Sequence, residues 1–108
     1  MNITKEKIGD FLVLTLDGRV DTNNFNELEL VIGQVFEAGE NKIVLNCSGL
    51  NYISSSGLRI FLTALKKVSA LNGKLHLCSM QPVIREIFDI SGFSGIFRIF
   101  GTLEEALE

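Results

Sequence analysis

Three hydroxyls stand in a row within Ile53-Ser54-Ser55-Ser56-Gly57-Leu58, where a polar stretch gives way to helical periodicity. Serine at a helix entrance has two ordinary uses. Its oxygen can accept a bond from an N–H group that the first turn leaves free, worth ~1 kcal/mol, or it can be offered outward as a functional group. One cap accounts for one serine. It accounts neither for the other two nor for Gly57, a residue that costs ~1 kcal/mol against alanine inside a helix. On the residues alone, capping and a functional hydroxyl cluster both stay open.

Catalysis finds little support among them. A nucleophile elbow reads G-x-S-x-G, and Tyr52 and Ile53 do not match its opening. The only histidine, His76, alternates with Leu75 and Leu77, so it reads as one face of a strand with nothing to bring it to Ser55. No Gly-rich run ends in Gly-Lys-Ser/Thr, so there is no phosphate loop. Asp17 and Asp21 flank Gly18 and Arg19 at a spacing typical of turns and caps. Cys47 and Cys78 are the only cysteines and lack the further ligands of a zinc site, so they read as two small buried thiols. No catalytic residue, metal or cofactor is expected.

The elements that must position the serines follow from hydrophobic period. Ile3 to Ile8 is a short strand, turned by Gly9-Asp10 into a second over Phe11 to Leu16. Phe25, Leu28, Ile32, Val35 and Phe36 recur at helical spacing up to Gly39, and Asp21, Thr22, Asn23 and Asn24 can cap that helix. Lys42 to Asn46 is a continuous apolar run of the kind buried on both faces. A polar loop over Cys47 to Ile53 is predicted next, then a second helix from about Ser55 to Ala70 with an inner stripe of Leu58, Phe61, Leu62, Leu65 and Ser69, and Val68 at its margin. With Leu58 at the centre of that stripe, Ile60 falls about 200° away at ~100° per residue, an exposed apolar residue that would suit a partner anchor.

Asn72-Gly73 turns the chain into a strand over Lys74 to Cys78. Pro82 opens a third helix carrying Val83, Ile84, Ile87, Phe88 and Ile90, which Gly92 ends. Ile96 to Phe100 is a last strand, and Thr102-Leu103-Glu104-Glu105 has capping-box spacing for a short terminal helix. The order β-β-α-β-α-β-α-β-α implies a mixed, mostly parallel sheet in a single α/β domain over residues 1–108, with the first strand antiparallel at an edge. Ligands and partners of such sheets meet the loops at the carboxyl ends of the strands, here Gly18 to Asn24 and Cys47 to Gly57.

Composition narrows the function further. With 108 residues, 46% apolar and 21% charged, the chain suits one globular core. A net charge of −3 with ten scattered basic residues offers no dense face for nucleic acid. The longest apolar runs, such as Phe11 to Leu14 and Ile43 to Leu45, fall far short of the ~20 residues that span a bilayer. The charged opening Met1 to Lys7 lacks a signal-peptide core, so a cytoplasmic protein without membrane contact is expected.

The order of elements, the Gly18-Arg19-Val20-Asp21 turn, the Ile43-Val44-Leu45-Asn46 strand, the Ser54-Ser55-Ser56-Gly57-Leu58 helix start and the segment Ser79 to Phe93 together resemble STAS domains, over almost the whole chain. Free-standing members of this length are bacterial switch proteins, so the resemblance implies an anti-sigma factor antagonist. Such a protein, when unmodified, binds an anti-sigma factor that is also a serine kinase and thereby releases a sigma factor. The kinase ends the association by phosphorylating a serine at the start of the second helix, and a PP2C-type phosphatase restores it. The family pattern there is commonly Asp-Ser-Ser/Thr-Gly-Leu. Laid on this chain, the modified serine is Ser55, ahead of Ser54 or Ser56, and the partner surface takes in Asp21, Thr22, Asn23, Ser54, Ser55, Ser56, Gly57 and Leu58, with Ile60 as anchor. Ser54 stands where the pattern has aspartate. The alternative is a STAS interaction scaffold in another signalling or transport complex, with no phosphate cycle. Either would be a monomer or a weak dimer.

Overall fold

A computed structural model describes residues 1–108. The elements are β1 (Asn2–Ile8), β2 (Phe11–Val20), α1 (Phe25–Glu37), β3 (Lys42–Ile53), α2 (Ser55–Ala70), β4 (Lys74–Cys78), α3 (Pro82–Ile90), β5 (Arg98–Phe100) and α4 (Leu103–Ala106), with a single 3-10 turn at Phe93–Gly95. The five strands lie in the order β1-β2-β3-β4-β5. β1 pairs antiparallel with β2, and every later pairing is parallel. Each parallel step moves the same way across the sheet, and right-handed crossovers then put every connecting helix on the same side. One cluster accordingly joins Leu28 and Ile32 of α1, Phe61 and Val68 of α2, and Ile84 and Phe88 of α3 to Leu14, Leu45 and Leu77 of the sheet. The reverse face carries only α4, whose Ala106, Leu103 and Leu107 pack on Phe11, Val13, Val44 and Cys78.

Two departures from the sequence-based expectation shape the site. The predicted loop over Cys47 to Ile53 is strand: β3 continues to Ile53, paired with the extension of β2 through Asp17↔Gly49, Arg19↔Tyr52 and Val20↔Ile53. The register shifts twice along this stretch, so Cys47, Leu50 and Ile53 are buried at intervals of three and the two-residue alternation of a strand is hidden. Gly49 permits the close pairing, because a Cβ there would lie 2.8 Å from Asp17 Oδ1 and 3.0 Å from the Leu16 carbonyl oxygen.

The second departure is the face of α2. Its buried residues are Gly57, Ile60, Phe61, Ala64 and Val68. Leu58, Leu62 and Leu65 are only half-buried and Ser69 is exposed. The helix is rotated from the expected stripe, and Gly57 rather than a leucine marks its close approach to the sheet. A Cβ on Gly57 would come within 2.7 Å of Ile53 Cγ1 and 2.8 Å of Val20 Cγ1. Elsewhere the differences are small. β5 is limited to Arg98–Phe100, since Phe93–Gly95 forms the 3-10 turn that sends Phe97 into the core. In α3, Ile84 and Phe88 are buried, while Val83 and Ile90 face solvent.

Candidate functional site

The strand extension carries β2 and β3 to one end of the molecule, where both meet the start of α2. The backbone N–H of Ser54 donates to the Val20 carbonyl at 2.9 Å, locking the helix entrance to the end of β2. Ser54 is the N-cap: its Oγ accepts from the Gly57 N–H at 3.2 Å, and its carbonyl accepts the Leu58 N–H at 2.9 Å. The residue is 9% exposed, so this hydroxyl is committed to the fold. Ser55, the first helical residue, is exposed, and Ser56 is half-buried. The three adjacent serines are thus distinguished: one caps, one faces solvent, and one lies between.

Asp21 is fixed beside this entrance. One carboxylate oxygen accepts from the Asn23 N–H at 2.9 Å and the other from Arg19 Nε at 2.9 Å. The Asn23 amide, with the Arg19 guanidinium behind it, holds the Asp21 carboxyl below the usual carboxylate value, so it is a fixed negative charge. Asn24 completes the turn, accepting the Asp21 N–H at 2.8 Å and donating to the Arg19 carbonyl at 2.9 Å. Of the side chains expected to cap α1, those of Asp21 and Asn24 instead order the turn before it, and Asn24 at the N-cap makes no side-chain cap bond. Thr22 and Asn23 are exposed at the tip of the turn.

Most of the sequence-predicted partner residues are gathered here: Asp21, Thr22 and Asn23 on the turn, Ser54, Ser55, Ser56 and Gly57 at the helix start, and half-buried Leu58 on its flank. Gly57 is buried, packed closely against Ile53 and Val20. Ile60 must be corrected. It is 5% exposed and lies in the cleft between α1 and α2 with Ile32 and Phe36, so it is a core residue and no projecting anchor. The same end presents two side chains that sequence reasoning missed: the exposed Tyr52 ring lies 4.8 Å beneath the Arg19 guanidinium, which also pairs with Asp21. Their signal was the arginine inside the Gly18-Arg19-Val20-Asp21 turn; its partner was hidden by reading Tyr52 as loop.

His76 is on the reverse face of the sheet, bound to the Ala106 carbonyl. Cys47 and Cys78 are free and buried. No helix is long and apolar enough to cross a membrane.

A family model described as the STAS domain matches residues 2–106. The chain belongs to the STAS domain family. This STAS domain is 39% identical over 106 residues to BtrV of Bordetella bronchiseptica, named as a candidate anti-sigma factor antagonist, with 98% of this chain and 91% of that protein covered. A crystal structure from Thermotoga maritima, of another candidate anti-sigma factor antagonist, matches with a TM-score of 0.92 at 23% identity, covering 97% of this chain and 91% of that one, a likeness of fold. The Bacillus cell fate determinant SpoIIAA in its phosphorylated form matches with a TM-score of 0.76 at 25% identity, covering 98% and 96%.

Proposed function

We propose that this STAS domain is an anti-sigma factor antagonist that works in the cytoplasm by association alone. Unphosphorylated, it binds an anti-sigma factor that is also a serine kinase, and the sigma factor is released. Phosphorylation of Ser55 by that kinase ends the association, and a PP2C-type phosphatase restores it. The observation that carries the proposal is the division of labour between neighbours: Ser54 holds the helix cap, leaving the exposed Ser55 hydroxyl free of structural duty beside the Asp21 turn. The names of its relatives, and the phosphorylated state of SpoIIAA, agree with it.

The physics of the switch is local. A phosphate on Ser55 adds roughly −1.5 to −2 charges and three acceptor oxygens. It would sit at a helix N-terminus whose first turn holds no acidic residue, where free N–H groups and the helix dipole accommodate an anion. The domain stays folded and the partner is repelled. A partner carboxylate about 6 Å from the phosphate would meet ~3 kcal/mol of repulsion per unit charge pair at an effective dielectric near 20. A tenfold loss of affinity takes only ~1.4 kcal/mol.

The test pairs the domain with its anti-sigma kinase and ATP and locates the modified residue by mass spectrometry. The expected result is modification at Ser55 and none in Ser55→Ala. Ser55→Asp is expected to bind the kinase at least tenfold more weakly by calorimetry, with a melting temperature close to that of the parent. Modification at Ser54 or Ser56, or undiminished binding by Ser55→Asp, overturns the switch; binding with no modification at all leaves the scaffold.

A further inference from the structure

The reverse face of the sheet holds a buried polar side chain that the serine end does not use. His76 is 3% exposed, with its ring between those of Phe11 and Phe100 at centroid distances of 5.1 and 4.8 Å. Nδ1 lies 2.7 Å from the Ala106 carbonyl oxygen in α4. A carbonyl can only accept, so Nδ1 carries the proton and donates. The neutral ring then has a bare lone pair on Nε2, and that atom is buried without a hydrogen-bond partner. The Nδ1–H bond to α4 is open to either protonation state; the bare, buried Nε2 is what suits the neutral ring alone.

We infer that His76 is a proton-sensitive latch: its neutral form holds the C-terminal helix α4 on the sheet, and its protonation releases that helix while the rest of the domain stays folded. A second proton would add an N–H with no acceptor and a full charge inside an apolar sandwich, a costly burial. The ring faces of Phe11 and Phe100 return only a weak attraction. On the same sheet face, Lys74 lies two residues away on β4, Arg98 is the paired residue on β5, and Lys42 is paired with Lys74 from β3, so the strands offer like charge. Asp10 reaches Lys42 from the β1–β2 turn at 4.0 Å. α4 itself brings Glu104 and Glu105, with Glu108 following; Glu105 is engaged in the Thr102 capping box. Burial is the main cause that holds the imidazole below its ordinary value of 6.5, with Arg98 and Lys74 adding to it and the Ala106 bond opposing.

Release restores the ring to water, where it titrates normally. Closure is therefore fully favoured above the ordinary histidine value and weakens as pH falls below it, down to the lowered value of the closed state. The helix that would leave is four residues long and closes the small cluster over Phe11, Val13, Val44 and Cys78. The large cluster on the opposite face, which contains Cys47, has no part in α4.

The two cysteines make the latch measurable. Both are fully buried in the closed domain, Cys78 beneath α4 and Cys47 on the helix-covered face. The intact chain is labelled with 4,4′-dithiodipyridine between pH 7.5 and pH 5, and each rate is normalised to the same chain in urea at that pH. Below about pH 6.5, labelling of Cys78 is expected to rise by up to tenfold per pH unit while Cys47 stays protected. His76→Asn, which keeps a donor near the Nδ1 position but does not titrate, is expected to flatten the curve. The single histidine also gives one imidazole NMR titration in the parent protein, expected below the ordinary value. Equal protection of Cys78 at both ends of the range overturns the latch, as does labelling of both cysteines together, a titration like that of free histidine, or an unchanged pH response in a folded His76→Asn.

Discussion

Ser54 and Ser55 are adjacent and chemically identical, yet one hydroxyl caps the helix and the other faces solvent. The cap at Ser54 is what frees Ser55, because the Gly57 N–H needs one oxygen and receives it. Aspartate is as good an N-cap as serine, so Ser54 in place of the family's aspartate keeps the local structure and removes one negative charge next to the proposed phosphorylation site. Ser54→Ala is expected to destabilise the domain by ~1 kcal/mol, lowering the melting temperature by about 4–8 °C, whereas Ser54→Asp should melt close to the parent. Differential scanning calorimetry of the two variants checks this. The hydroxyl cluster was plain in the sequence, but its division was not: three consecutive serines look alike until the backbone decides which one points at an N–H.

At the scale of elements, α2 shows what hydrophobic pattern conveys and what it conceals. The limits of the helix, Ser55–Ala70, were legible from its periodicity and its capping residue. Its rotation was not, because leucines dominate a hydrophobicity count while Gly57 and Ala64 weigh little. Yet both are buried, and at Gly57 the helix comes close enough to the sheet that a side chain would collide. Gly57→Ala adds a methyl that collides with Ile53 and Val20, so the gain in helix propensity is expected to be outweighed and the variant destabilised by ~1–3 kcal/mol in urea titrations. Ile60→Glu places a carboxylate in the packed cleft between α1 and α2, and is expected to unfold the domain or cost more than ~3 kcal/mol, read from circular dichroism. Loss of binding in that variant would thus say nothing of a direct contact. The strand extension was illegible for a related reason: Ser48, Gly49 and Asn51 read as loop, and register shifts erase the alternation that would have marked a strand.

Over the whole molecule, the order of strands and helices was legible because each element carries its own period and the crossover rule leaves few arrangements. That same rule accounts for the unequal faces of the sheet, one covered by three helices and the other by four residues of α4. What the sequence could not reveal was that His76 would find its partner in Ala106, since a carbonyl thirty positions away leaves no trace in side-chain types. The sheet edges are also guarded. β1 exposes Lys5, Glu6 and Lys7 along its length, and β5 offers only three residues for pairing. Sedimentation equilibrium at roughly 100 μM is accordingly expected to return the mass of a monomer, and a dimer mass would show that an edge or an apolar face pairs in spite of these charges.

The path of β2 has a practical consequence. It begins at the Gly9-Asp10 turn and ends ten residues later at Val20, whose carbonyl anchors the serine loop. At ~3.3 Å per residue these points lie roughly 30 Å apart. A fluorophore or tether grafted onto that turn would ride on the far pole, giving an optical or surface-bound reporter with the serine end unobstructed.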